Sequence, residues 1–116
     1  MIRVIFKDIK RSDFLENVVV MKMQDVIDKF PGLNDHQILV TLSMENSPRH
    51  PGPDSFSAKI YITGPRFGRI VIEKSSPTMY ASIANLSEVL LERLNRTLDR
   101  ARVRGRAQER RWRMSG

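Results

Sequence analysis

The feature that most constrains the fold is the order in which two hydrophobic periods follow one another along the chain. Alternation with a period of two predicts a half-buried strand, and apolar residues three and four positions apart predict a helix. The strand pattern occurs at residues 2–7, 36–45, 55–63 and 69–74, and the helix pattern occurs at 13–30 and from 78 onward. The predicted order is therefore β-α-β-β-β-α, with a proline-rich loop at 46–54.

This order of elements limits the topology to very few arrangements. The first two strands are joined across a helix, which favours parallel pairing, and the last three strands follow one another as an antiparallel meander. Because the strands alternate, one face of the sheet is expected to be covered by both helices and the other to face water. The prediction is an α+β two-layer sandwich with a four-stranded mixed sheet and both helices on one face. The predicted core comprises Ile38, Val40, Leu42, Phe56, Ile60, Ile62, Tyr80, Ile83, Leu90 and Leu94.

Arginine dominates the C-terminal part of the chain. Residues 93–116 contain nine arginines against Asp99 and Glu109, whereas residues 1–92 contain eleven basic and eleven acidic residues. The whole formal charge of +7 therefore lies in the last fifth of the sequence. Such asymmetry indicates a polyanionic partner, with nucleic acid first, since guanidinium groups bind phosphate in a bidentate manner and stack on bases.

Four of these arginines are predicted to form a ridge on the second helix. Arg93, Arg96, Arg100 and Arg104 follow one another at steps of three and four, in a sector away from the predicted apolar stripe. Gly105 is the predicted end of regular helix, because glycine is unfavourable in a helix interior. The chain is thus divided into one domain at 1–104 and a basic tail at 105–116, which we expect to be disordered in the free protein. A solvated charged face is the alternative interpretation of the ridge.

The first helix carries more apolar residues than one buried face requires. Its predicted core stripe consists of Leu15, Val19, Met23, Val26 and Phe30. Val20, Met21 and Ile27 fall outside that stripe. They indicate either a broadly buried helix or an apolar patch for self-association or for a partner protein.

The sequence offers little chemistry for catalysis, a metal or a cofactor. It has no cysteine, and His36 and His50 lie far apart, so a metal site is not predicted. No phosphate-binding glycine loop or nucleophile motif occurs, and neither an enzyme nor a small-molecule substrate is expected. No apolar run approaches the roughly 20 residues of a membrane span, and no secretory signal precedes the first strand. The expected location is the cytoplasm.

A short motif after the fourth strand resembles a known family. Met79-Tyr80-Ala81-Ser82-Ile83 is similar to Asp-Met-Tyr-Ala-Ala-Ile-Asp, with which the second helix of the ribosome hibernation-promoting factor family typically opens, although Thr78 and Ala84 replace the two aspartates. That family includes the ribosome-associated inhibitor (protein Y) and proteins labelled sigma-54 modulation protein. The resemblance covers roughly residues 1–104, and the family fold resembles double-stranded-RNA-binding domains in its element layout.

The resemblance implies a translation inhibitor that acts in stress or stationary phase. Such a protein would occupy the mRNA and tRNA channel of the small ribosomal subunit and contact ribosomal RNA through basic residues of both helices. Lys22 matches a family lysine on the first helix, and Arg96, Arg100 and Arg102 fall where the second helix is usually basic. The chain departs from the family pattern at Asp25, Val89 and Glu92, where basic residues are common. The resemblance is to a short form of the family, which is expected to function without the additional C-terminal domain of long members.

Two other functions compete with ribosome binding. A divergent paralogue could act as a protein–protein or regulatory module through the patch formed by Val20, Met21 and Ile27. In a third hypothesis, the basic helix lies on a membrane surface, but the arginine-rich segment has little apolar surface to insert into the membrane.

Overall fold

The computed structural model describes residues 1–45 and 55–115, with side chains described through Asp99. The strands are β1 (Ile2–Lys7), β2 (Gln37–Glu45), β3 (Ser55–Thr63) and β4 (Ile70–Ser76), and the helices are α1 (Asp13–Lys29) and α2 (Met79–Ser115). The predicted order is confirmed, and a short 3-10 helix at Pro31–Asp35 follows α1, where the sequence indicated only a helix stop. The predicted loop at 46–54 and His50 lie outside the described residues.

The four strands form one mixed sheet in the order β1-β2-β3-β4. β1 pairs with β2 in parallel, and β2–β3 and β3–β4 are antiparallel, as predicted. The register places Ile38 between Ile2 and Ile62, so apolar side chains of neighbouring strands share one face. Since successive side chains point to opposite faces, this register also aligns Leu39, Tyr61 and Val71 on the other face.

Both helices pack on the same face of the sheet and on each other. α1 begins after Ser12, whose Oγ accepts a hydrogen bond from the Leu15 amide at 3.3 Å and so satisfies one of the free donors of the first turn. The core between the layers comprises Val19, Met23, Val26, Ile27, Phe30, Leu33, Ile38, Val40, Leu42, Ala58, Ile60, Ile62, Ile70, Ile72, Met79, Ile83, Leu86, Leu90 and Leu94. This cluster contains most of the predicted core residues.

Two predicted core residues are less buried than expected, although Phe56 still packs against the core cluster. Tyr80 is 55% exposed. The predicted buried side of α2 carried Tyr80, Ile83, Leu90 and Leu94, whereas the observed buried side is rotated away from Tyr80 and includes Met79, Ser82 and Leu86. Phe56 is only half-buried, because it pairs with Ser76 near the end of the sheet. The apolar arc of α2 is wide, so its periodicity alone does not fix which edge meets the sheet.

The second helix is also longer than predicted. It continues through Gly105 to Ser115, so the predicted end at Gly105 is wrong. A single interior glycine costs about 1 kcal/mol, and the arginine, alanine, glutamine and glutamate residues around it are all favourable helix formers. Among the described residues, no helix is both long enough and apolar enough to cross a membrane.

Candidate nucleic-acid interface

Arg93 and Arg96 are both exposed on α2, and Arg93 lies on the flank that faces β4. Buried Leu90 and Leu94 fix the rotation of the helix at this point, and Arg93 Nη1 lies 3.5 Å from the Val71 carbonyl oxygen of the edge strand β4. The sequence predicted that the ridge lies away from the buried stripe of α2. In the structure the ridge instead begins beside the edge of the sheet. The hydrogen bond of Arg93 is long, so its guanidinium can turn to another acceptor at little cost.

The remaining arginines predicted to bind RNA lie further along the same helix. Arg100, Arg102 and Arg104 belong to the backbone of α2, but their side chains lie outside the described residues. Leu94 is the last buried side chain of the described part of α2, and Leu98 is half-buried. Residues 99–115 add about 25 Å of helix at about 1.5 Å per residue, and seven of the chain's fourteen arginines lie on this extension.

Lys22 lies in the groove between the two helices. Its side chain is half-buried, and Nζ lies 6.0 Å from the centroid of the exposed Tyr80 ring. Lys29 lines the same groove, but so do Asp25 and Glu88, and the four charges balance. The groove therefore offers a pair of local cations without a net positive field.

The structure does not bring Lys22 and the arginine ridge together. At about 100° per residue, the side of α2 that carries Tyr80 and Glu88 lies roughly opposite the side that carries Arg93 and Arg96. Of the predicted site residues whose side chains are described, Lys22 therefore lies on one surface, in the helix–helix groove, and Arg93 and Arg96 lie on another. Sequence periodicity gives the faces of each helix, but which face meets the neighbouring helix depends on packing.

The departures from the family pattern have different structural positions. Asp25 and Glu92 are exposed, so each places a negative charge on the helix surface, whereas Val89 is half-buried against the core. Among the described side chains, Arg11 and Glu16 form an ion pair at 3.0 Å, and no carboxylate lies within 4.0 Å of the Arg93 or Arg96 guanidinium. Arg96 thus forms no ion pair with Glu92, one helical turn earlier.

The predicted apolar patch on α1 needs one correction. Ile27 is 7% exposed and belongs to the core, because α1 packs both on the sheet and on the 3-10 helix. Val20 and Met21 are exposed, at 39% and 68%, and Phe14, which the sequence analysis missed, is 69% exposed. Phe14 and Met21 are seven residues apart and share one side of α1, whereas Val20 lies about 100° around the helix from Met21. The exposed patch therefore consists of Phe14 and Met21.

His36 is buried and contributes to packing rather than to a binding site. Its ring is 1% exposed, Nε2 accepts a hydrogen bond from the Phe67 amide at 3.1 Å, and Nδ1 has no partner among the described residues. A β-carbon on Gly64 would collide with this ring, so glycine is required where the chain passes it. The described residues contain no cluster of three or more side chains that could hold a metal ion.

Comparisons with known proteins agree with this fold. Chains of similar structure include the N-terminal domain of Protein Y from Thermus thermophilus, with a TM-score of 0.59 and 16% identity, covering 82% of this chain and 94% of that one. A ribosomal subunit interface protein from Coxiella burnetii gives a TM-score of 0.66 at 14% identity, covering 84% and 97%. No curated protein sequence gives a significant match. The sequence model described as sigma 54 modulation protein / S30EA ribosomal protein matches residues 2–102, and the chain therefore belongs to that family.

Proposed function

We propose that this protein binds the small ribosomal subunit, occupies the channel for mRNA and tRNA, and inhibits translation under stress or in stationary phase. The family match over residues 2–102 is the observation that carries this proposal. The mechanism is steric and involves no reaction, because a folded domain held in the channel excludes the ligands that normally occupy it. Such a role places the protein in the cytoplasm.

The arginines of α2 supply the affinity in this mechanism. Residues 93–116 carry the entire formal charge of +7, and Arg93 and Arg96 expose their side chains where the helix passes the sheet edge. Ribosomal RNA presents closely spaced phosphates, and each phosphate that a guanidinium neutralises releases bound counterions. A helix with arginines at steps of three and four can contact several phosphates along one RNA backbone.

Lys22 makes a smaller contribution in this proposal. Its ammonium group lies beside the Tyr80 ring on the other side of α2, so it would contact a different RNA segment from the arginines. Asp25 and Glu88 share its groove and repel phosphate. We therefore assign most of the binding free energy to Arg93, Arg96, Arg100, Arg102 and Arg104, and a minor part to Lys22.

A competition experiment tests this function. Purified small subunits carrying labelled tRNA and mRNA are titrated with the protein, and release of both labels is followed by filter binding. We expect the protein to displace both ligands and to co-sediment with the small subunit in a sucrose gradient. Co-sedimentation with tRNA and mRNA still bound would contradict the channel site, and no co-sedimentation would contradict ribosome binding itself.

A protein–protein module is the second candidate, and the exposed patch on α1 favours it. Phe14 and Met21 expose about two thirds of their surfaces, at 69% and 68%, which is unusual for large apolar side chains. Replacing both with serine leaves the arginines unchanged. If the double variant loses its cellular partner while ribosome binding persists, the patch serves a separate interaction. A pool free of ribosomes at every growth stage would favour this candidate over the first.

A further inference from the structure

The face of the sheet that points away from the helices carries a cationic and aromatic surface. The register aligns Arg3, Leu39, Tyr61 and Val71 in one row across all four strands. Arg3 and Val71 are exposed, and Leu39 and Tyr61 are half-buried. The row therefore presents a shelf of apolar groups and one aromatic ring, with a guanidinium at its β1 end.

A second arginine lies over the same ring. The guanidinium carbon of Arg69 is 5.4 Å from the centroid of Tyr61, within the range of a cation–π contact. Arg69 itself is exposed and directly precedes β4. An aromatic ring thus lies between Arg3 on the edge strand β1 and Arg69 just before the other edge strand, β4. An aromatic ring with neighbouring cations is the combination that stacks a nucleobase and holds its phosphate.

A shallow cavity of about 330 Å³ opens beside this ring. It is lined by Met1, Arg3, Gln37, Ile38, Leu39, Tyr61 and Thr63. Gln37 and Thr63 pair directly across β2 and β3, and their amide and hydroxyl groups can donate and accept hydrogen bonds. The volume lies at the lower end of the range for small-ligand pockets and is sufficient for one nucleotide.

The charges on this face favour an anionic ligand at the Tyr61 end. No carboxylate of the described residues lines the cavity. Glu73, the nearest acid by register, lies one row further along, opposite Lys59, and accepts a hydrogen bond from Ser57 Oγ at 2.9 Å. An acidic peptide would satisfy the arginines, but it would leave the flat shelf beside Tyr61 without a planar partner.

We propose that this end of the open sheet face binds single-stranded RNA, with one base stacked on Tyr61 and the flanking phosphates held by Arg3 and Arg69. Gln37 and Thr63 hydrogen-bond to the edge of the base. This surface is the face of the sheet opposite to the one on which α1 and α2 pack. It is therefore separate from the proposed ribosomal contact through the arginines of α2. A domain with both surfaces can hold two RNA segments at once.

The test compares a hexamer of adenosine nucleotides with an abasic ribose-phosphate hexamer of equal charge. Both carry a 5′ fluorescein, and affinity is measured by anisotropy on the full-length protein. We expect the abasic hexamer to bind more weakly, and Tyr61→Leu to weaken hexa-adenylate binding about 5- to 150-fold, the range for loss of one base–aromatic stack. The affinity of Tyr61→Leu for the abasic hexamer should equal that of the wild type.

Arg69→Gln provides a second variant that keeps the ring and does not disturb the core. It should weaken binding of both hexamers, whereas Arg11→Gln, which removes the same charge beyond the far end of β1, should affect both less. In ¹H–¹⁵N spectra, hexa-adenylate should shift the amides of Leu39, Tyr61 and Val71. Equal affinity for the two hexamers, an unchanged affinity in Tyr61→Leu, or full competition by hexaglutamate would overturn the proposal. If variants of the α2 arginines lose ribosome binding but hexa-adenylate still shifts the amide signals of the sheet, the proposed RNA site on the sheet is supported independently of the ribosomal contact.

Discussion

Gly64→Ala tests the packing of the buried His36 ring. This ring lies against Gly64, just after β3, and is hydrogen-bonded to Phe67 in the turn that follows. A β-carbon at position 64 would lie 2.7 Å from His36 Nδ1 and closer still to Cγ and Cδ2. The His36 ring is 1% exposed, so it has little room to move aside. A rotated ring also loses the hydrogen bond that Nε2 accepts from the Phe67 amide at 3.1 Å.

The expected cost follows from these two effects. Overpacking a closed site costs about 1–3 kcal/mol, and losing one buried hydrogen bond costs about 1 kcal/mol. Gly64→Ala should therefore lower the free energy of unfolding by about 2–4 kcal/mol, measured by urea denaturation followed by circular dichroism. Gly32→Ala is the matched control, because the atoms nearest to the added methyl belong to the side chains of Phe67 and Arg66, the closest at 3.3 Å. It should cost less than about 1 kcal/mol.

A double-mutant cycle isolates the cause. His36→Ala removes the ring that the new methyl group would strike, so adding Gly64→Ala to that variant should cost less than about 1 kcal/mol. The two substitutions should therefore be coupled by about 1–3 kcal/mol. If Gly64→Ala costs the same with and without the histidine ring, or costs nothing in the wild type, the packing argument is wrong.

Three further predictions concern the second helix and its neighbours. Leu94→Ala should lower the free energy of unfolding by about 2–5 kcal/mol, measured in urea, because Leu94 is fully buried; a cost below about 1 kcal/mol would contradict its place in the core. Lys22→Gln should weaken binding to purified small subunits by less than about 10-fold, since replacing lysine with the uncharged glutamine removes one phosphate contact; a larger loss would make the helix–helix groove the main site. A chain ending at Arg104 should keep the fold by circular dichroism but bind subunits with a shallower salt dependence, because it lacks four arginines of the tail; an unchanged slope would mean that the tail makes no phosphate contact.

The sheet could be predicted well because each strand carries its own signal. Alternation places Ile38, Val40 and Leu42 on one face whatever the rest of the chain does, and the helix between β1 and β2 favours their parallel pairing. The proline-rich loop and the short turn at residues 64–68 then favour the meander of β2, β3 and β4. These features are local, so a single sequence contains them.

The rotation of the helices could not be predicted with the same accuracy. Tyr80 and Leu86 both border the apolar arc of α2, and only contact with β3, β4 and α1 decides that Leu86 is buried and Tyr80 is exposed. Ile27 is buried for a similar reason, since the 3-10 helix after α1 widens the buried face of that helix. Propensity and periodicity do not report such contacts between elements.

The candidate sites show the same limit. Lys22 and the arginines could be recognised from the sequence as basic residues, but the sequence did not show that Lys22 and Arg93 lie on different sides of α2. The pairing of Arg69 with Tyr61 likewise depends on the β3–β4 register and on the turn between the strands. Alternation shows only that Tyr61 points away from the core.

The arginine ridge is tested most directly by the salt dependence of binding to purified small ribosomal subunits. The comparison is between the wild type and a variant with Arg93, Arg96, Arg100 and Arg104 changed to glutamine. A control changes Lys7, Lys10, Arg11 and Lys59, four exposed cations that lie outside α2, and removes the same charge.

Each phosphate contact contributes about 0.7–0.9 to the slope of log affinity against log salt, so four contacts contribute about 3. Between 50 and 200 mM salt, that slope corresponds to a roughly 50- to 150-fold change in affinity. The ridge variant should lose most of this dependence and bind weakly at low salt, while the control should stay close to the wild type. If the ridge variant and the control show the same slope and the same affinity, the arginines of α2 do not hold the protein on the subunit.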